Sequence, residues 1–258
     1  MAGPLRSARF VAWSNAVLAG QVSPDLAAAR IVGSDAPHRV DGLGGLSRQT
    51  LPVVLARLSA LPGPAARLVL PVPGDPVGLP GPCALTTAAL DAGEAVLIAA
   101  DGGIGLVPVE TSDEVVWTAH PVVDTPVLVT AALPALAEAD QHLAVALREA
   151  TELLSALDVA RWDPDSAEAV DALRQGRLDG DGLAPGYPNR AHEVLARARR
   201  LRAVIELAGR GDGAAVTAGE AAARRAALVP LDRAARYAEM AAFNAVLEPG
   251  DASAERRR

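Results

Sequence analysis

A long amphipathic helix is the feature of this sequence that most restricts its fold. Between residues 136 and 157, one stripe of side chains recurs at alternating steps of four and three residues, which places them on a single helical face. The stripe consists of Leu136, Asp140, Leu143, Leu147, Ala150, Leu154 and Leu157. We expect Asp140 to be exposed near the helix start and the apolar members to be covered by other helices.

Further helices are predicted in the same part of the chain. The four-and-three spacing returns in Val194, Ala198, Leu201, Ile205 and Ala208. Asp163-Pro164-Asp165 begins a helix that Gly176 ends, Thr217–Glu220 is a capping box that opens another, and a last helix covers residues 231–247. Residues 177–188 are rich in Gly, Asp and Pro, which predicts a solvated linker.

Three helices are predicted at the start of the chain. The first covers residues 7–19. Ser23 is a suitable N-cap for a second helix, which ends at Gly33. After a loop over residues 34–45, the third helix passes through Val53 and stops after Leu61, before Pro62-Gly63.

Strand signals follow these helices. Short apolar runs predict strands at residues 67–72, 95–100, 104–109, 114–119 and 126–130. Asp101-Gly102-Gly103 between two of these runs predicts a hairpin, and a short helix is predicted from about Cys83 to Leu90. The later strands should form a meander.

The order of these signals predicts an α+β fold, because strands follow helices without a regular βαβ alternation. We expect residues 1–130 to combine helices with a small, mostly antiparallel sheet. Residues 131–248 should form an all-α antiparallel helical bundle, and residues 249–258 a disordered tail.

The composition excludes several chemistries. All 24 basic residues are arginine, and there are only 4 isoleucines, 3 asparagines, 2 phenylalanines and 2 tyrosines, a bias typical of a GC-rich bacterial genome. Without lysine, a Schiff base or a P-loop lysine is impossible. The lone Cys83 excludes an internal disulfide and a cysteine-based zinc cluster.

The chain is predicted to be a soluble, cytoplasmic protein. Its first residues lack the apolar core of a signal peptide. The longest uncharged helix-compatible stretch, residues 125–137, contains two prolines and is shorter than the roughly 20 residues that cross a bilayer. We therefore expect no membrane contact.

Two segments are candidates for ligand binding. Gly42–Arg48 is a glycine-rich loop before a helix, where free N–H groups and Arg48 could attract an anion, although no strand is predicted before it and Ser47 replaces the third glycine of a dinucleotide-binding fingerprint. The second candidate is the loop Pro73–Pro82, in which Asp75 is the only charge; we favour a stiff connection over a pocket rim. Cys83 lies at the start of the following helix, where a thiolate would be stabilised, but a small buried side chain is the favoured interpretation.

Metal and cofactor templates fail at essential positions. His192-Glu193 begins like a zinc-protease helix, but Ala196 stands where the second histidine is needed. Asp179-Gly-Asp181 begins like a calcium loop, but Leu183 replaces an oxygen ligand. We predict no metal and no cofactor.

The densest basic cluster consists of Arg197, Arg199, Arg200 and Arg202. These residues splay around the predicted helix, so a solvated face is favoured over nucleic-acid binding. Arg197 and Arg200 are candidates for a surface that contacts a protein partner. Self-association or a partner could use the helices over residues 133–157 and 190–209.

The function favoured by the sequence is that of a non-enzymatic interaction or regulatory protein, because each catalytic or metal template lacks an essential residue. An alternative is a small-molecule-binding protein or enzyme with its site beside Pro73–Pro82. A third possibility is nucleic-acid contact by the basic C-terminal helices.

Overall fold

The computed structural model of this chain describes residues 5–61, 65–99, 103–122, 133–156, 182–210 and 218–245. It divides into two compact units. The first unit contains Met1–Leu133, Asp181–Pro188 and Phe243–Arg258. The second contains Pro134–Gly180 and Asn189–Ala242. The α+β class predicted from the sequence is confirmed.

A six-stranded sheet forms the centre of the first unit within the described residues. The strands are β1 (His38–Asp41), β2 (Gln49–Thr50), β3 (Ala65–Val69), β4 (Ala95–Ala99), β5 (Ile104–Glu110) and β6 (Val115–Pro121). Their order in the sheet is β2-β1-β6-β5-β4-β3. All neighbouring strands are antiparallel except β1 and β6, which run parallel.

The predicted hairpin and meander are confirmed in β4, β5 and β6. Val96 pairs with Leu106 across the hairpin, and Leu106 pairs in turn with Ala119. The strand predicted at residues 126–130 lies outside the described residues.

The loop predicted from Ser34 to Gly45 is wrong in part, because β1 lies within it. Its sequence, His-Arg-Val-Asp, contains one aliphatic residue and therefore carries no strand signal of its own. Pairing with β6 stabilises β1 as a strand, because the tendency of a segment to form a strand depends mainly on its neighbouring strands and its burial.

Four helices accompany the sheet in the described part of the first unit: α1 (Arg6–Leu18), α2 (Pro24–Val32), α3 (Leu51–Ser59) and α4 (Ala84–Ala92). The four predicted helices are confirmed, and the Ser23 side chain accepts a hydrogen bond from the Leu26 N–H as an N-cap should. Helix α1 is buried on almost all sides, against α2, α3 and the sheet. It is therefore a central helix, and its polar groups need partners inside the protein.

Three long helices are described in the second unit: α5 (Leu136–Ala156), α6 (Asn189–Arg210) and α7 (Ala218–Phe243). Side chains from all three share one apolar core. The predicted stripe of α6 is confirmed for Val194, Ala198 and Leu201, which are buried in this core.

The stripe predicted on α5 is rotated relative to the buried face. Ala139, Leu143 and Ala146 are buried, whereas Leu147 is 38% exposed. The prediction that Leu147 lies in the middle of the seam is therefore wrong. Ala146 and Leu147 satisfy the helical period almost equally well, and the small alanine permits the closer approach of the other helices.

Two further boundaries differ from the sequence prediction. Helix α7 continues through Pro230, so a separate last helix beginning at Leu231 is wrong. Residues 182–188 are not a solvated linker, because Leu183, Ala184 and Tyr187 are buried in the first unit. The helix predicted from Asp163, the capping residue Thr217 and the tail after residue 248 lie outside the described residues.

None of the described helices combines the length and the apolar character needed to cross a membrane.

Two substitutions on α5, one on its buried face and one at an exposed position, test which side of the helix is buried. Leu143→Ala should lower the free energy of unfolding by about 2–5 kcal/mol, because it leaves a cavity between three helices. Leu147→Ala, one turn later and 38% exposed, should cost less than about 1 kcal/mol. Urea unfolding followed by circular dichroism measures both, and an equal loss of stability would contradict the observed face of α5.

Candidate functional site

The largest group of interacting charged side chains in the described part of the first unit surrounds Asp35, which follows α2. The Arg6 Nε donates to Asp35 Oδ2 at 2.9 Å, and the Arg9 Nη2 donates to the same oxygen at 2.5 Å. Arg9 also donates to the Val32 carbonyl at 3.2 Å. Gly33 permits this approach, because a Cβ atom there would lie 2.5 Å from the Arg9 Nη1. Two arginines from α1 thus converge on the end of α2.

The electrostatics of Asp35 follow from these contacts. Burial raises the pKa of the carboxyl, but Arg6 and Arg9 outweigh this effect, so the pKa of Asp35 is lowered from its ordinary value. The same ion pair, partly opposed by burial, raises the pKa of Arg6, whose Nη2 also donates to Glu110 at 2.9 Å. Asp35 and Arg6 therefore stay ionised near neutral pH.

His38 begins β1 and is fully buried beside this cluster. Its Nε2 lies 3.4 Å from the Asp35 Oδ2, and its Nδ1 accepts a hydrogen bond from the Trp117 Nε1 at 3.2 Å. The Trp117 ring in turn contacts Phe10, with ring centroids 4.9 Å apart. Burial lowers the pKa of His38 to about 4, although Asp35 opposes the change. The imidazole is therefore neutral at physiological pH.

A second buried carboxylate holds the beginning of α1. Leu5, at the N-cap position, provides no side-chain hydrogen bond. The Ser7 backbone N–H instead donates to Glu94 Oε2 at 2.7 Å. A carboxylate at this end of a helix is favoured by the helix dipole. Burial raises the pKa of Glu94, although the bonds from Ser7 oppose the increase.

The chemistry of this cluster is that of a closed structural network. An Asp–His pair serves as a general base when the second histidine nitrogen can reach a substrate. Here the Trp117 N–H occupies that nitrogen, and the imidazole is fully buried. The cluster joins α1, α2, β1 and β6 instead.

Arg48, a predicted ligand-binding residue, lies in the hairpin between β1 and β2. Its two terminal nitrogens each donate to one Glu114 oxygen at 2.9 Å, and its backbone N–H donates to Asp41. Its φ of 52° is in the left-handed region. The guanidinium is exposed, but it already holds a carboxylate.

Asp75 lies in a tight turn at the start of the Pro73–Pro82 loop. Val72 and Asp75 exchange two backbone hydrogen bonds across Pro73-Gly74, and Gly74 has the positive φ that the second corner of a type II turn requires. At the other end of the loop, the Thr86 hydroxyl donates to the carbonyls of Pro80 and Gly81. These bonds hold both ends of the loop.

Cys83 is the N-cap residue of α4, and the interpretation that it is buried is wrong, because its side chain is exposed. The sulfur lies 3.4 Å from the Thr86 hydroxyl, which lowers the pKa of the thiol. No described contact joins Cys83 to Arg48. Among the residues that the structure describes, no three histidine, cysteine, aspartate or glutamate side chains come together as a metal site would need.

The basic cluster of α6 is largely engaged with acids of the second unit. Asp140 on α5, expected to be exposed, is mostly buried between Arg190 and Arg197, and its Oδ1 lies 2.9 Å from the Arg197 Nη1. Arg199 and Arg202 bind the buried carboxylate of Glu239 on α7, at 3.3 and 2.7 Å. Arg200 is exposed.

Sequence reasoning did not find the partly buried carboxylate of Asp35 or the buried carboxylates of Glu94 and Glu239. The groups that donate hydrogen bonds to them lie between 26 and 87 residues away along the chain. No local motif marks such a pairing. The one available signal was the charge within the apolar stripe at Asp140, for which contact with a neighbouring arginine was the alternative interpretation.

Two family models cover most of this chain. Residues 7–135 match the Rv1486c-like protein, N-terminal domain, and residues 137–240 match the Rv1486c-like protein, C-terminal domain. The junction of the two matches falls at the start of α5.

A relative from Mycobacterium tuberculosis (strain ATCC 25618 / H37Rv) is described as "Uncharacterized protein Rv1486c". It is 32% identical over 279 aligned positions, which cover 91% of this chain and 94% of the relative. A mycobacterial relative agrees with the expected GC-rich bacterial source. No solved structure matches significantly.

The buried His38 makes the stability of the first unit depend on pH. Its pKa is about 4 when folded, against the ordinary value of 6.5, so the unfolded chain binds a proton that the folded chain excludes between these values. The free energy of unfolding should therefore be highest above pH 6.5 and fall towards pH 4, by about 3 kcal/mol from this group.

Urea unfolding monitored by tryptophan fluorescence at several pH values tests this dependence. His38→Gln should reduce the slope, whereas His192→Gln, at an exposed position on α6, should retain the wild-type slope. Glu94 acts in the opposite direction, but it is common to all three proteins. An unchanged slope in His38→Gln would contradict the assignment.

Proposed function

The chain belongs to the family of Rv1486c-like proteins, and on that premise we propose that it is a non-enzymatic interaction or regulatory protein. The observation that carries the proposal is that the histidine of the cluster around Asp35 is enclosed by protein and faces no substrate-accessible surface. His38 has the chemistry of a general base, but it is fully buried and both of its nitrogens face protein groups. Its low pKa supports a structural role for the neutral ring.

We also propose that the helices of the second unit pack as an antiparallel bundle. The common apolar core of α5, α6 and α7 supports this arrangement. The buried Glu239 supports it as well, because two arginines of α6 neutralise a charge on α7 that would otherwise be costly to bury.

The proposed partner is a second copy of this chain, bound through the helices over residues 133–157 and 190–209. Val145 and Leu147 on α5 are 39% and 38% exposed, although both are large aliphatic side chains. They are two residues apart and flank the buried face of α5 on opposite sides, so a partner that removes both from water must contact both flanks of the helix.

The charges on these two helices favour self-association. Exposed acids, Glu138 and Glu193, occur together with exposed arginines, Arg148 and Arg200. A surface that carries both signs can complement its own copy across a two-fold axis, where the same patch is used twice. The ion pair of Asp140 with Arg197 makes α5 and α6 neighbours on this surface.

Light scattering after gel filtration, over a concentration series, tests the self-association. The wild-type protein should show the mass of a dimer, and Val145→Ser/Leu147→Ser should show that of a monomer while keeping its circular dichroism spectrum. Val53→Ser is the matched control, because Val53 is a 50% exposed valine on α3 in the first unit. A monomeric wild-type protein at all concentrations would refute this partner.

A nucleic-acid partner is not expected, because three of the four clustered arginines of α6 bind acids. Fluorescence anisotropy with duplex DNA and single-stranded RNA should show only weak binding, with Kd values near the non-specific range of about 10⁻⁴–10⁻⁶ M or weaker, and higher salt should abolish it. A nanomolar Kd at physiological salt would contradict this expectation.

A further inference from the structure

The outer edge of β3 is closed by side chains rather than by another strand. β3 is the last strand in the described sheet, and β4 pairs with only one of its two sides. On the other side, the backbone groups of Ala66 and Leu68 form hydrogen bonds with two asparagines.

Each asparagine reproduces the bonds of a missing neighbour. The Asn15 amide donates to the Ala66 carbonyl at 2.8 Å and accepts from the Ala66 N–H at 2.9 Å. The Asn244 amide accepts from the Leu68 N–H at 2.7 Å and donates to the Leu68 carbonyl at 3.0 Å. An antiparallel strand forms the same pair of bonds with every second residue of its neighbour.

Asparagine is rare in this chain, so its placement here is informative. Only Asn15, Asn189 and Asn244 occur among 258 residues, and two of the three bind this edge. An amide side chain carries its donor and its acceptor on two separate atoms and has no charge, so it can bond to an N–H and a carbonyl at once. Aspartate could accept from the N–H but could not donate to the carbonyl.

We propose that Asn15 and Asn244 guard the outer edge of β3 against strand addition by a second copy of this chain. An open edge presents a row of unpaired N–H and C=O groups, which is a template for pairing with another strand. A second copy is the occupant because every molecule carries the same edge, and two such edges are complementary in an antiparallel arrangement. β3 is mostly apolar, with Arg67 as its only charge.

The segment that carries Asn244 has a separate anchor, which provides a control. The Tyr187 hydroxyl donates to the Phe243 carbonyl at 2.8 Å, and both side chains are buried in the first unit. Tyr187→Phe removes this bond and the hydrogen bond between the Tyr187 hydroxyl and the Asn15 side chain, but it keeps both asparagines in the chain. The variant therefore distinguishes loss of the bonds made by the Tyr187 hydroxyl from loss of the two asparagine side chains.

The test compares wild-type protein, Asn15→Ala/Asn244→Ala and Tyr187→Phe by light scattering and by hydrogen exchange. The double variant should form species at least twice the wild-type mass, increasingly with concentration, while Tyr187→Phe should keep the wild-type mass. Because the reference is the wild-type mass, the result does not depend on whether α5 forms a dimer.

The proposal is overturned if the folded double variant keeps the wild-type mass, or if Tyr187→Phe associates equally. If the double variant does not fold, the single variants decide. Asn15→Ala should speed exchange of the Ala66 amide, and Asn244→Ala that of the Leu68 amide, by about tenfold each with a gain in mass. Unchanged exchange, or faster exchange without association, would also refute the guarding role.

Discussion

The burial of helix α1 is the constraint on which the rest of the first unit depends. This helix contacts α2, α3 and the sheet, and it brings Arg9 and the N–H of Ser7 into the interior. Unpaired charges and donors there would be costly, so a partner must be supplied from elsewhere in the chain. Asp35, which follows α2, neutralises the arginines of α1. Glu94, which precedes β4, accepts a hydrogen bond from the Ser7 N–H at the start of α1.

A buried charge also needs partners from another helix in the second unit, but there the buried charge is negative and its partners are positive. There the buried group is the carboxylate of Glu239, and the arginines that meet it come from α6. Removing one member of such a cluster leaves the others buried without compensation, which strongly destabilises the folded state. Both clusters support the fold, and this is the physical basis of the proposal that the protein acts through its surface.

The sequence predicted most elements because their signals are local. Ser23 marks the start of α2, and the sequence Asp101-Gly102-Gly103 predicts the hairpin that the antiparallel strands β4 and β5 form. β1 was missed, since a strand with one aliphatic residue depends on β6 for its stability. On α5 the period was correct but the buried face was not, because Ala146 and Leu147 satisfy the spacing almost equally well. The candidate site was not predicted, since residues 23 to 104 positions apart meet only in the folded chain.

The sequence by itself determined the class of fold, the positions of the main helices and the exclusion of lysine and disulfide chemistry, because these follow from residue type and short-range spacing. Tertiary structure alone decided which charges are buried and paired. It made His38 neutral by surrounding it with protein, and it turned two of the three asparagines towards the backbone of β3. The reason is that burial and hydrogen bonding depend on distances in space, which the order of residues along the chain does not specify.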